Sequence, residues 1–101
     1  MNYSFVNRPA VKADLQNAVD YYNDISPELA KQFIIRIREA KKHIARTPLG
    51  FQIKYNYVRT LQLKQFPYHI HYLVDDNQKH IIILAIIHAY RNPNDYSKRE
   101  I

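Results

Sequence analysis

The sequence predicts an α+β fold in which an N-terminal helical hairpin packs on one face of a twisted antiparallel β-sheet. Three observations carry this. In the first half, Val11, Leu15, Ala18 and Tyr22, then Leu29, Phe33, Ile37, Ala40 and Ile44, recur every three or four residues, the spacing of helical apolar stripes. From Phe51 onward the period becomes two. The run Ile81-Ile82-Ile83-Leu84-Ala85-Ile86-Ile87 is apolar throughout. It is too short and too rich in β-branched residues for a buried helix, and reads as a central strand covered on both faces. Helices followed by strands give a layered α+β arrangement.

The elements follow in order. Met1 to Val6 alternates weakly through Tyr3 and Phe5 and reads as a short edge strand. Asn7-Arg8-Pro9 starts the first helix, with Asn as the cap and Pro in the first turn. This helix runs to about Asn23, and Asp24-Ile25 breaks it. Ser26-Pro27-Glu28 restarts the chain as a second helix: Ser caps, Pro is pre-set for the first turn, and Glu favours the positive end of the dipole. That helix runs from Pro27 to about Arg46, and Thr47-Pro48-Leu49-Gly50 ends it.

A first long strand then places Tyr57, Arg59, Leu61 and Leu63 on one face and Val58, Thr60 and Gln62 on the other. Lys64 and Gln65 turn the chain. The second strand places Tyr68, Ile70, Tyr72 and Val74 on one face and His69, His71 and Leu73 on the other. Asp75-Asp76-Asn77-Gln78 has the composition of a hairpin turn. The apolar run is the third strand, and Asn92 to Tyr96 reads as a turn or short helix. The sheet face away from the helices is expected to carry Arg59 or its neighbours, His69, His71 and the end of the last strand.

With 101 residues the chain is expected to form one domain spanning 1–101, large enough for a core without staples. It has no cysteine, which excludes disulfides and thiolate metal sites and suits a reducing, cytoplasmic setting. No signal peptide or membrane-spanning run is evident. A formal charge of +6 and a pI near 9.6 point to an acidic partner: nucleic acid, an acidic protein segment or anionic lipid.

Three segments together resemble the RelE/ParE superfamily, the toxins of bacterial type II toxin–antitoxin pairs and plasmid stabilisation systems. They are Val58-Arg59-Thr60-Leu61, Phe66-Pro67-Tyr68-His69-Ile70-His71-Tyr72 and Ile83-Leu84-Ala85-Ile86-Ile87-His88-Ala89-Tyr90-Arg91. Asp14-Leu15, Tyr21-Tyr22, Ser26-Pro27 and Phe33 match the helical part in style, so the resemblance covers nearly the whole chain. It implies a cytoplasmic toxin neutralised by a cognate acidic antitoxin in a toxin–antitoxin hetero-oligomer, with no cofactor.

Two activities are implied, mRNA cleavage as the first expectation and gyrase poisoning as its near-equal alternative, and a third reading is a toxin homologue that has lost its activity and persists as a binding module. RelE-like members cleave mRNA in the ribosome, without metal, by making the ribose 2′-hydroxyl attack the adjacent phosphate. ParE-like members poison DNA gyrase without known chemistry. Arg91 matches a RelE-like Arg at the end of the last strand, and Tyr96 a Tyr a few residues on, with one position of slip. The chain has His69 where that pattern has an Arg, and Thr60 and Gln62 where it has lysines. The ending from Ile81 to Arg91 looks more like ParE-like members.

Metal-free cleavage would need a base, an acid and cations for the phosphorane. Arg91, Tyr96, His69 and His88 are therefore the candidate catalytic residues, the imidazoles because they titrate near neutral pH. Arg59, Lys54, Lys64, His71 and Tyr90 are candidates for binding nucleic acid or a protein target, through phosphate contacts and stacking. Each has a structural alternative. His88 could cap its strand, His69 and His71 could be solvated, and Arg59 could pair with Asp14 or Glu39. Tyr68 and Tyr72 fall with Ile70 and read as core. His69 and His71 could approach one ion, but no third ligand converges, so no metal is expected.

Overall fold

The computed structural model describes residues 3–91. The order is β1 (Ser4–Asn7), α1 (Pro9–Ile25), α2 (Pro27–Arg46), β2 (Ile53–Tyr55), β3 (Val58–Gln62), β4 (Tyr68–Asp75) and β5 (His80–His88). The strands form one sheet in the order β1-β5-β4-β3-β2, with β5 paired on both sides.

The helical hairpin follows the sequence signals with small shifts. Arg8, not Asn7, is the residue before α1, and Pro9 opens the helix without a side-chain cap. α1 continues through Asp24 to Ile25 because Ser26 does two jobs at the junction. Its backbone N–H donates to the Tyr22 carbonyl, closing α1, and its hydroxyl accepts from the Glu28 N–H, opening α2. Both predicted stripes face inward: Val11, Ala18 and Tyr22 from α1, with Phe33, Ile37, Ala40 and Ile44 from α2, are buried against Ile70, Tyr72, Ile81, Ile83 and Ile86 of the sheet.

The sheet departs from an all-antiparallel meander in two places. β1 runs parallel to β5, with Phe5 beside Ile81 and Asn7 beside Ile83. A strand that feeds a helical layer and rejoins its own sheet several elements later is free to run parallel, as a hairpin partner is not. The expected first long strand, Tyr57 to Leu63, is β3, and an unexpected short strand, β2, precedes it and pairs with its start. β2 and β3 are joined at Asn56 and Tyr57, both with positive φ (42° and 64°). Asn tolerates that region, but Tyr carries no such signal, so the turn is hidden in the sequence.

A third feature sits inside β5. Tyr72 pairs with Ile83 and His71 with Ala85, so Leu84 is an extra residue, a β-bulge. The bulge inverts which residues face the helices. Before it these are Ile81 and Ile83; after it they are Ile86 and His88, opposite Ile70 and Tyr68. Leu84, Ala85 and Ile87 are nonetheless buried, which explains the unbroken apolar run.

β1 cannot serve the far half of β5. The last bond from its side is the Arg8 N–H to the Ile83 carbonyl, after which the chain turns away into α1. Asp14 takes over: its Oδ2 accepts the Ile86 N–H at 3.0 Å, in a buried position 8% exposed. On the opposite flank, the buried Tyr72 hydroxyl donates to the Pro48 carbonyl at 2.7 Å, tying the exit of α2 to the sheet.

Two outcomes follow for stability. Asp14→Ala strands a buried amide and should lower the unfolding free energy by about 1–3 kcal/mol in urea titration, whereas Asp14→Asn, which keeps an acceptor oxygen, should lose less. Burial pushes the Tyr72 phenol up to about 12, against a smaller opposing pull from Arg59. The folded protein thus holds this proton more tightly than the unfolded chain. The associated stability is intact below the ordinary tyrosine value of 10.0 and is lost as pH climbs toward 12. Thermal midpoints measured across that window should fall, and fall less steeply in Tyr72→Phe.

Candidate functional site

The strand end where β5 leaves the core is rigidly held. The Ala89 N–H donates to the Pro67 carbonyl at 2.7 Å, and the Arg91 N–H to the His88 carbonyl at 3.0 Å. The Tyr90 N–H donates to His88 Nδ1 at 3.2 Å, which leaves the proton of a neutral His88 ring on Nε2. The His88 ring packs edge-on against Tyr68 (5.3 Å between centroids) and lies 5.4 Å from Tyr90. Tyr68 continues the row to Tyr22 (6.0 Å), and Tyr22 to Tyr21 (5.1 Å). The row thus crosses from the strand end to α1, and both its ends are open: Tyr90 is 88% and Tyr21 60% exposed.

Arg91 is exposed beside this row. Burial raises the Tyr68 phenol above its ordinary value, and so does Tyr21, while the Arg91 guanidinium pulls it back down. That opposing pull places the cation within electrostatic reach of the aromatic row.

The other two candidate histidines lie on the opposite face of the sheet. His69 pairs with Ile87 and Gln62, and His71 with Ala85 and Thr60, so all these side chains point away from the helices. The two rings are 6.3 Å apart. His71 is 1% exposed, and its Nδ1 lies 3.0 Å from the Tyr55 hydroxyl. The His69 imidazole is held below its ordinary value of 6.5, mainly by burial and then by the charge of Lys54.

Two expected placements are corrected by this geometry. Arg59 pairs with Tyr72 and so faces the helical side; its Nη1 donates to the Phe51 carbonyl, which makes it a brace for the α2–β2 connection. It pairs with neither Asp14 nor Glu39 in any bond the structure records; Glu39 accepts from Arg36 instead, at 2.9 Å. His88, expected on the face with His69 and His71, stands on the other side because of the bulge at Leu84. Tyr96 lies outside the described residues.

A third region was not visible in the sequence. α2 and β3 enclose a cleft of about 380 Å³, lined by Arg36, His43 and Arg46 on the helix wall and Gln62 and Lys64 on the strand wall. Lys64, a candidate for target binding, belongs here and not with the histidines. The basic stripe on α2 is legible in the sequence, but the wall it faces depends on where β2 stops. Among the described residues, no three His, Asp or Glu side chains converge to hold a metal ion, and no helix is long and apolar enough to cross a membrane.

Comparison with known proteins agrees with the geometry. No protein of curated function matches the chain closely. Among solved structures, the chromosomal ParDE toxin–antitoxin system from P. aeruginosa contains a chain 29% identical to this one, with a TM-score of 0.72, the match covering 85% of this chain and 95% of that one. The RelBE2 toxin–antitoxin complex from Mycobacterium tuberculosis contains a chain of the same fold, 17% identical with a TM-score of 0.56, the match covering 87% of this chain and 99% of that one. Residues 6–93 match the family model described as the ParE toxin of the parDE type II toxin–antitoxin system. The chain therefore belongs to the ParE toxin family of type II toxin–antitoxin systems.

Proposed function

We propose that this chain, as one domain over residues 1–101, is a cytoplasmic toxin that an acidic antitoxin holds inactive. We further propose that it acts by binding its target, DNA gyrase, in the ParE-like manner and not by cutting mRNA on the ribosome. The observation that carries the choice is the position of the imidazoles. Cleavage through a 2′-hydroxyl needs a base, an acid and cations around one phosphate. Here the sheet stands between His88 and the His69–His71 pair. His71 is sealed against Tyr55, and the His88 Nδ1 is occupied by a backbone amide. His69, held below 6.5, is a neutral ring at pH 7 and a poor acid.

The strand end suits protein recognition better. Tyrosine and arginine are the residue types that dominate binding hot spots, and Arg91 and Tyr90 stand exposed on a backbone anchored to both β5 and the Pro67 loop. Arg91 then supplies paired charge-assisted bonds to an acidic side chain of the target. The antitoxin reading rests on the family match, on the +6 charge of the chain, and on similarity to structures described as toxin–antitoxin systems.

The deciding experiment assays the purified toxin twice: against gyrase supercoiling and gyrase-linked DNA breaks, and against mRNA in a translating extract. Gyrase inhibition with intact mRNA is expected; site-specific mRNA cleavage would overturn the proposal. Arg91→Ala should abolish toxicity with little change in stability, within about 0.5 kcal/mol for an exposed residue. Arg91→Lys should restore it only in part. In an NMR titration His69 should charge below pH 6.5, and Lys54→Glu should move that midpoint upward. A midpoint above 6.5 in the native chain would remove the electrostatic argument against catalysis.

A further inference from the structure

The helical hairpin carries a band of positive charge that neither the core nor the strand end uses. The side on which α1 meets α2 is fixed by apolar contacts: Val11 and Leu15 of α1 and Ile37 and Lys41 of α2 line one small pocket with Ile83 and Ile86. The helices are joined at Ser26, so the start of α1 lies beside the end of α2. At 3.6 residues per turn, Arg38 and Lys42 follow Lys41 round toward solvent on α2. Lys12 follows Leu15 in the same way on α1, one turn after Arg8. Arg8, Lys12, Arg38, Lys41 and Lys42 thus gather along one side of the hairpin.

These cations are not answered from within. Among the described residues none of their side chains enters a hydrogen bond or an ion pair; Lys41 lies over the Phe5 ring, 4.8 Å from its centroid. The Arg8 Nε is buried without an acceptor, so no internal partner holds its guanidinium. The carboxylates of the hairpin are engaged elsewhere: Asp14 by the Ile86 amide, Asp20 by Gln16, Glu28 by Gln32 and Glu39 by Arg36. Asp24 lies with Tyr21 on the opposite side of α1. α1 also opens here with no side-chain cap and no acidic residue in its first turn, so its positive end adds to the field.

The band specifies the chemistry of its partner. An acidic segment that folds on a protein must bury apolar surface as it does so. Here it would find little beyond Ile35, 43% exposed, since the exposed rings of Tyr21, Tyr57 and Tyr90 stand elsewhere. Single-stranded nucleic acid is held by rings on which its bases stack, and the band has no exposed ring. A duplex keeps its bases stacked and presents phosphates, one charge per about 1.7 Å of its axis. Arg8 to Lys12 and Arg38 to Lys42 each advance about 6 Å along their helix, so the two rows meet several phosphates at once.

We propose that this face of the helical hairpin holds the phosphate backbone of duplex DNA, and so sets the toxin against the DNA that gyrase is cutting. The gyrase setting rests on the reading above. The DNA contact is separate from the Arg91 strand end, whose aromatic row meets α1 at Tyr21 and Tyr22, near its far end.

The test uses the full chain, a mixed-sequence DNA duplex and gyrase. Lys12→Gln, Arg38→Gln and Lys42→Gln change exposed, unpaired side chains, so the triple variant should keep the native thermal midpoint. In fluorescence anisotropy without gyrase, it should bind the duplex at least tenfold more weakly. The slope of log affinity against log salt should flatten by about 3, close to one unit for each phosphate contact removed. The variant should bind DNA-free gyrase as the native chain does, yet need at least tenfold more toxin to give the same gyrase-linked DNA breaks. A duplex affinity within twofold of native, an unchanged yield of breaks, or a native chain without affinity for the duplex would overturn the proposal. Tighter binding to an RNA duplex than to DNA, lost in the triple variant, would overturn it in favour of RNA. A native chain that leaves gyrase untouched but binds the duplex through these residues would keep the DNA face and remove the gyrase reading alone.

Discussion

Every layer of this molecule depends on how the backbone of β5 is satisfied. A strand with apolar residues buried on both faces cannot leave an amide unpaired without losing the hydrogen bond that water would have supplied. β4 answers one edge along its whole length. The other edge is answered by two unlike partners, a parallel strand as far as Ile83 and then the carboxylate of Asp14 at Ile86. The helix layer therefore does more than cover the sheet. One polar residue on its buried stripe completes the ladder, and so fixes where α1 sits along β5.

The bulge at Leu84 is the second half of that arrangement. It shifts the pleat by one residue, so that His88 falls on the side of Tyr68, Tyr22 and the helices, away from His69 and His71. Without it, a strict alternation from Ile81 would send His88 to the other face. One inserted residue thus separates imidazoles that a flat reading of the strand groups together. The resulting strand end is a surface of tyrosine, histidine and arginine held by backbone bonds.

Much of this was legible before any coordinates. The two helices, their junction at Ser26-Pro27 and the central position of the Ile81–Ile87 run follow from periodicity and capping, because those signals are local. What stayed hidden depends on contacts between distant residues. Asp14 sits among apolar neighbours in sequence, and nothing nearby says that its partner is the amide of Ile86. The division of β2 from β3 needs Tyr57 in a backbone region that tyrosine rarely occupies. The same stretch hid the cleft, because Gln62 and Lys64 on its strand wall lie beyond the residues that β2 pairs with. Arg59 was misplaced for a related reason: without β2 beside β3, its service to the Phe51 carbonyl could not be seen.

The pairing of the first strand with the last has a temporal side as well. The Asp14–Ile86 bond joins residues 72 apart, and β1 reaches equally far to meet β5. During synthesis at about 5–20 residues per second, Asp14 must wait on the order of 4–14 s before Ile86 has even been polymerised. Until then the apolar stripes of the helices lack the central strand of their sheet, and Arg91, which follows β5, does not yet exist. The chain therefore acquires its completed core and its exposed arginine almost together, because Arg91 follows directly on the strand that the core is built around.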